Sequence, residues 1–298
     1  MSLEKVGAIL KDPSAPMKAR YRALFTLRNL GGKSSIDAIA SGFTDESSLL
    51  KHEMAYCLGQ MQDEYALEVL RTIVRDEGQD PIVRHEAAEA LGAIGKVEDL
   101  PLLNSYSSCD TVELAETCQI SADRIRWLDS NSETDISSSN PFHSVDPAPP
   151  LPGDLTVAAL TAQLLDENLS LFLRYRALFT LRNMRTEEAV LAITLGFRAK
   201  SALFRHEIAY VLGQLSHEAA ETALTTKLVD LDEHSMVRHE CAEALGSLAT
   251  SSCTGTLEKF LTDKERIVRE SCEVALDMVE YEMSNDFQYA NTLSKLTS

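Results

Sequence analysis

Apolar and polar residues follow one another along this chain with the period of a helix, in short blocks that recur. At about 100° per residue, Val83, Ala87, Leu91 and Ile94 fall on one stripe with Ala90 beside it. The same rotation aligns Leu50, Met54, Leu58 and Met61. The stretch "DPIVRHEAAEALGAIG" carries its own punctuation, with Asp80 as N-cap, Pro81 at the first helical position and Gly95 to end the helix. Ahead of it, "YALEVLRTIVRDEG" reads as the first helix of the same pair, and Ser235 starts the matching helix further on.

The blocks are copies of one another. "RYRALFTLRN" stands at 20–29 and again, unchanged, at 174–183, which is 154 residues later. Inside each half, steps of 31, 33 and 31 residues put Tyr21-Arg22, His52-Glu53, His85-Glu86 and Glu116-Thr117 in equivalent slots. The second half repeats them as Tyr175-Arg176, His206-Glu207, His239-Glu240 and Glu270-Ser271. One helical pair of this size cannot bury its apolar face alone, so neighbours must stack. The expected fold is all-α: a HEAT-repeat α-solenoid in two tandem halves of four helical hairpins each, related by pseudo-twofold symmetry. Residues 1–129 form the first half and 154–298 the second. Between them, 130–153 is rich in Ser, Pro, Asn and Asp and is expected to be a flexible linker. The final "SNDFQYANTLSKLTS" is expected to be a loosely held tail.

Composition removes several function classes. A net charge of −18 counts against nucleic acid as a partner, because phosphate binding needs clustered Lys and Arg. It suits a basic protein or a cationic group, and equally plain solubility. The six cysteines form no CxxC pair, and Cys57, Cys118, Cys241 and Cys272 sit at small apolar positions as reduced core residues. The N-terminus lacks the apolar core of a signal peptide and no stretch could span a bilayer, so a cytoplasmic protein without a membrane partner is expected. Gly-rich phosphate loops, GxSxG and HExxH are all missing, which withdraws support from the enzymes built on them.

The four His-Glu dipeptides carry the chemistry. His85 lies about 200° from Val83 and Glu89 about 240°, so both point away from the apolar stripe, as do His52 and Tyr56 on their helix. The second helix of each pair usually lines the concave side of such a solenoid. Two halves facing each other would therefore bring four histidines and four glutamates together, as a two-metal site of iron, manganese or zinc requires. The candidate ligands are His52, Glu53, His85, Glu86, His206, Glu207, His239 and Glu240. A solvated surface pair would explain one such dipeptide; four in equivalent slots, using four of the chain's seven histidines, need a common cause. His143, His217 and His234 have no such context and are given no role. One turn further along lie Tyr56, Glu89, Tyr210 and Glu243, candidates either for holding a cationic substrate by ion pairing and cation–π contact or for orienting the histidines. Tyr21, Tyr175, Glu116 and Glu270 are expected to face the same groove, Arg22 and Arg176 to pair with its carboxylates, and Trp127 to be a capping core residue.

With all four His-Glu motifs present, and with "RYRALFTLRN", "AYCLGQM" and "RHEAAEALGAIG" around them, the chain resembles the deoxyhypusine hydroxylase family over nearly its whole length. That resemblance implies a non-haem di-iron monooxygenase with two ferrous ions per chain, dioxygen as cosubstrate and no catalytic residues beyond the metal ligands. Its substrate would be the deoxyhypusine side chain of eukaryotic translation initiation factor five-A, whose hydroxylation completes hypusine. Glu53 and Glu207 would complete the ligand shell of the four histidines, with Glu86 and Glu240 either ligands or substrate contacts. A monomer is expected. A non-enzymatic HEAT scaffold for a basic protein, or a relative of the phycobilin lyases, would leave the four pairs unexplained, and metal storage would need no protein substrate.

Overall fold

Sixteen α-helices and no strand form among residues 2–131 and 140–284, which the computed structural model describes. They follow in eight antiparallel pairs. The first half comprises α1 (Leu3–Lys11), α2 (Met17–Leu30), α3 (Gly32–Ala40), α4 (Ser48–Met61), α5 (Leu67–Arg75), α6 (Pro81–Ile94), α7 (Leu100–Tyr106) and α8 (Val112–Ser130). The second comprises α9 (Val157–Leu165), α10 (Leu171–Met184), α11 (Glu187–Thr194), α12 (Ala202–Leu215), α13 (Glu221–Val229), α14 (Ser235–Leu248), α15 (Ser251–Phe260) and α16 (Arg266–Glu282). The expected caps are in place around α6: the Asp80 side chain accepts from the Ile82 amide, Pro81 opens the helix, and Gly95 closes it at φ 80°, where a Cβ would be strained.

The even-numbered helices stack on one another as the inner layer, and the odd-numbered ones cover them outside. Small residues let the inner helices approach closely. A Cβ on Gly246 of α14 would meet the Ala275 Cα and carbonyl oxygen at 2.8 Å, and one on Gly92 of α6 the Ser121 Cα at 2.9 Å. A second repeated device joins the layers. The buried Arg20, Arg84, Arg174 and Arg238 donate through Nε to the carbonyls of Leu10, Val74, Leu164 and Leu228 at 2.9–3.0 Å, near the C-terminal ends of α1, α5, α9 and α13. Those carbonyls lack a partner within their own helix, and the bond fixes where each inner helix starts. Cys57, Cys118, Cys241 and Cys272 are free thiols in the core.

The halves face each other with their inner layers and close at both ends, α2 packing on α16 and α8 on α10. Arg22 donates to both carboxylate oxygens of Asp277 at 2.7 and 2.8 Å across this junction. The N-cap serines of α4 and α12 add a symmetric pair of bonds, Ser47 Oγ to Glu270 and Ser201 Oγ to Glu116, each 2.6 Å. The expectation of a flexible linker over 130–153 does not survive for its described part. Residues 140–153 lie against both halves, with Ala148 fully buried and Asp146 bound to the buried Arg182. Composition marks a segment that cannot form a helix, and says nothing of what its carbonyls and carboxylate can bind. Residues 132–139 of that linker, and the tail from 285 onward, lie outside the described residues.

Candidate metal centre

His85 on α6 and His239 on α14 directly follow the anchoring Arg84 and Arg238, and His52 on α4 and His206 on α12 stand in the equivalent position after Lys51 and Arg205. The four imidazoles converge between the halves. Ring centroids are 5.4 Å apart for His52 and His85, 5.2 Å for His206 and His239, and 5.4–5.9 Å across the halves. They do not line an open groove wall, because the opposing half covers them: His52 and His206 are 5% and 6% exposed, and His85 and His239 fully buried.

The carboxylates divide into two groups. Glu86 Oε2 stands 3.2 Å from His52 Nε2 and Glu240 Oε2 stands 3.3 Å from His206 Nε2, pseudo-equivalent contacts between neighbouring repeats. Potential ligand atoms of His52, His85 and Glu86 lie within 4.8 Å of one another, as do those of His52, His206 and His239. Glu53 and Glu207 line a cavity of about 280 Å³ with Glu89, Glu243, Tyr56 and Tyr210, and His52, His206, Glu86 and Glu240 reach the same cavity. Glu86 and Glu240, which the resemblance left open between ligand and substrate contact, are thus carboxylates that stand against an imidazole. Helical rotation says which way a side chain leaves its helix, and only the packing of adjacent repeats says what it meets.

The four Nε2 atoms are buried outside any hydrogen bond of ordinary geometry, those of His52 and His206 facing the Glu86 and Glu240 carboxylates. Thr117 and Ser271 hydroxyls approach the Nδ1 atoms of His85 and His239 at 3.5 Å, close enough to orient the rings. Burial, then the neighbouring His206, brings His52 down to about 4. His85 and His239 fall well below the ordinary value, burial again coming first. His206 is opposed by the same burial, yet the Glu240, Glu86 and Glu89 carboxylates hold it above its ordinary value. Burial pushes Glu86 and Glu89 up to about 8 and raises Glu53 and Glu207, with like-charged neighbours adding to the shift, and it raises Glu243 against the opposing pull of Ser271, His52 and His206. The donor set is therefore three imidazoles held neutral, a more basic one at His206, and crowded carboxyls, a combination that a bound cation would relieve.

Tyr56 and Tyr210 bond to each other through their hydroxyls at 3.0 Å, and Gln214 donates to Tyr210 at 3.0 Å. Of the flanking slots, Glu116 and Glu270 clamp the two halves and do not enter the cavity, while Tyr21 and Tyr175 are buried. Of the two arginines expected to pair with groove carboxylates, Arg22 binds Asp277 and Arg176 the carbonyls of Pro149 and Pro150. Trp127 is partly buried, with Arg176 5.9 Å above its ring. His217 and His234 turn out to cap helical turns, accepting through Nδ1 from Ala219 and Met236. Sequence reasoning missed Gln60, Val145, Pro147, Gln214 and Met278 in the cavity wall. The glutamines carried a signal, one turn beyond Tyr56 and Tyr210 in copied positions; the linker residues carried none.

Known proteins agree with this architecture. The HEAT repeats family matches residues 3–82, 43–115 and 194–277. The chain is similar to a deoxyhypusine hydroxylase of Danio rerio, 55% identical over 98% of this chain and 96% of the other. It is also similar to one of Drosophila pseudoobscura pseudoobscura, 54% identical over 99% and 97%. The solved structure of human deoxyhypusine hydroxylase in complex with glycerol superposes with a TM-score of 0.90 at 53% identity, covering 94% of this chain and 96% of that one.

Proposed function

The chain belongs to the deoxyhypusine hydroxylase family, whole length against whole length, and on that premise we propose a di-iron monooxygenase. Its substrate is the deoxyhypusine side chain of eukaryotic translation initiation factor five-A. The metal reading is carried by the four buried Nε2 atoms that have no hydrogen-bond partner. Leaving a buried polar atom unpaired costs roughly 1–3 kcal/mol, and four together call for a shared cation. His52, His85 and Glu86 would hold one ion, and His206, His239 and Glu240 the other. Iron bound there supplies reductive activation of dioxygen and insertion of one oxygen atom into an unactivated C–H bond, chemistry that redox-inert zinc does not offer.

The remaining side chains bind and exclude. Glu53, Glu89, Glu207 and Glu243 form an acidic wall whose mutual repulsion a doubly cationic aminobutyl-lysine would relieve. The opposing halves keep bulk water from the histidines, which strengthens every charge interaction at the site. Both sets of ligands come from one chain, which favours a monomer, and the reading includes the cytoplasm as its place of action.

Elemental analysis of protein purified with ample iron tests the proposal, alongside mass analysis of the deoxyhypusine-bearing factor after incubation with a reductant and air. About two irons per chain are expected, with gain of one oxygen by the factor. Replacing His52, His85, His206 or His239 with Ala should remove iron and turnover while far-UV helicity persists. Metal-free protein that refuses ferrous iron under anaerobic reconstitution would return the chain to the scaffold reading.

A further inference from the structure

The repeat sets one slot of each inner helix against the imidazole of the repeat before it. On α6 and α14 that slot holds Glu86 and Glu240, each facing the Nε2 of the preceding histidine at 3.2 and 3.3 Å. On α8 and α16 it holds Thr117 and Ser271, whose hydroxyls meet the Nδ1 atoms of His85 and His239 at 3.5 Å. Both hydroxyl residues are buried together with the rings they meet, so bulk water does not compete for these contacts.

The direction of the two contacts follows from where each hydroxyl sends its single hydrogen. Thr117 Oγ1 donates to the Glu113 carbonyl one turn back at 2.8 Å. Ser271 Oγ donates to Glu243 Oε1 at 2.9 Å. With that hydrogen committed, each oxygen can only accept from the imidazole, which makes Nδ1 the protonated nitrogen. In a neutral ring the lone pair then belongs to Nε2, because the bond made by one nitrogen sets the state of the other. Nε2 is the atom of His85 and His239 left buried at the centre without a hydrogen bond. At 3.5 Å the contacts are long, but choosing between two neutral tautomers asks little of a bond shielded from water.

The two halves do this unequally. Thr117 is backed by a peptide carbonyl and Ser271 by a carboxylate, and Glu243 Oε1 itself stands 3.5 Å from His239 Nδ1. A carboxylate behind a ligating imidazole draws on its N–H and raises the basicity of the opposite nitrogen.

We propose that Thr117 and Ser271 are positioning residues that lock His85 and His239 with their Nε2 lone pairs toward the centre, and that Glu243, acting through Ser271, makes His239 the stronger donor of the two. This rests on the proposed function, and it separates two ions that a perfect duplication would leave equivalent.

Nitrogen NMR of the metal-free full chain with isotope-labelled histidine reads the tautomers, and anaerobic ferrous titration of the same chain reads the difference between sites. The His85 and His239 rings should carry hydrogen on Nδ1. Thr117→Val should abolish that preference in one ring and Ser271→Ala in the other, while Thr117→Ser and Ser271→Thr keep it. Ser271→Ala should also weaken one ferrous site about 10–100-fold, and Ser271→Thr should restore it. Glu243→Gln should weaken that same site and leave the other alone, which asks the question again should Ser271→Ala fail to fold. Hydroxyls that served only to pack the helices would change stability and move neither readout. Rings with hydrogen on Nε2, or a folded Ser271→Ala protein with unaltered nitrogen shifts and iron affinity, would overturn the inference and leave the hydroxylase reading intact. An unmodified chain that took up no ferrous iron would overturn the hydroxylase reading and the proposed difference between its ions.

Discussion

At the scale of single residues, the centre concentrates groups whose protonation differs between folded and unfolded chains. In the metal-free protein Glu86 and Glu89 keep their protons up to about 8, against an ordinary 4.5. Over that interval the folded chain binds more protons than the unfolded one, so stability falls as pH rises. Glu53, Glu207 and His206, all raised, act with the same sign. His52, lowered from 6.5 to about 4, and His85 and His239, lowered as well, have the opposite sign, but their contribution levels off within about one pH unit above 6.5. The thermal midpoint of metal-free protein should therefore drop between pH 6.5 and 8, and Glu86→Gln should flatten the drop. A midpoint that held steady or climbed over that range would contradict the burial of these carboxyls. The four histidines were legible because the duplication copied them into equivalent slots. The different duties of Glu53 and Glu86 were not, since both leave their helices on similar flanks and only the neighbouring repeat decides which one meets an imidazole.

At the scale of elements, two devices set the spacing of the inner helices, and neither stood out from the apolar pattern. The arginine before the slot in "RYR" and "RHE" reads as an ordinary surface charge until the outer helix's last carbonyls are placed beside it. Gly246 reads as a weak spot within α14 until α16 is seen packed against it. Gly246→Ala should cost about 1–3 kcal/mol by overpacking, read as a lower urea midpoint at unchanged slope. An unchanged midpoint would mean that α14 and α16 part freely. The linker offers a third case. Asp146→Ala strands Arg182 in the interior, at a cost of about 3–5 kcal/mol, and Arg182→Met in the same chain should recover much of it. If the single and double variants were equally unstable in denaturant, the loss would not lie in the unpaired charge.

For the whole molecule, the question is what holds the halves face to face. The Arg22–Asp277 pair, the reciprocal serine–glutamate bonds and the tyrosine pair all cross between them without help from the centre. Cleaving the chain within residues 132–139 should thus leave the halves together during sedimentation, even after iron is removed. Halves that separated once metal-free would show that the ions, and not the interface, hold them together. No helix among the described residues is long and apolar enough to cross a membrane.

The sequence alone determined the duplication, the helical pairs and the four histidines, because each is a periodicity, and periodicity survives in one dimension. Tertiary structure decided three things that have no period. It chose which carboxylates approach the imidazoles, it turned the expected groove wall into a buried centre by closing the halves on each other, and it bound an irregular segment to both halves. Such choices depend on contacts between residues far apart in the chain, where distance and alignment, not residue type, set the energy.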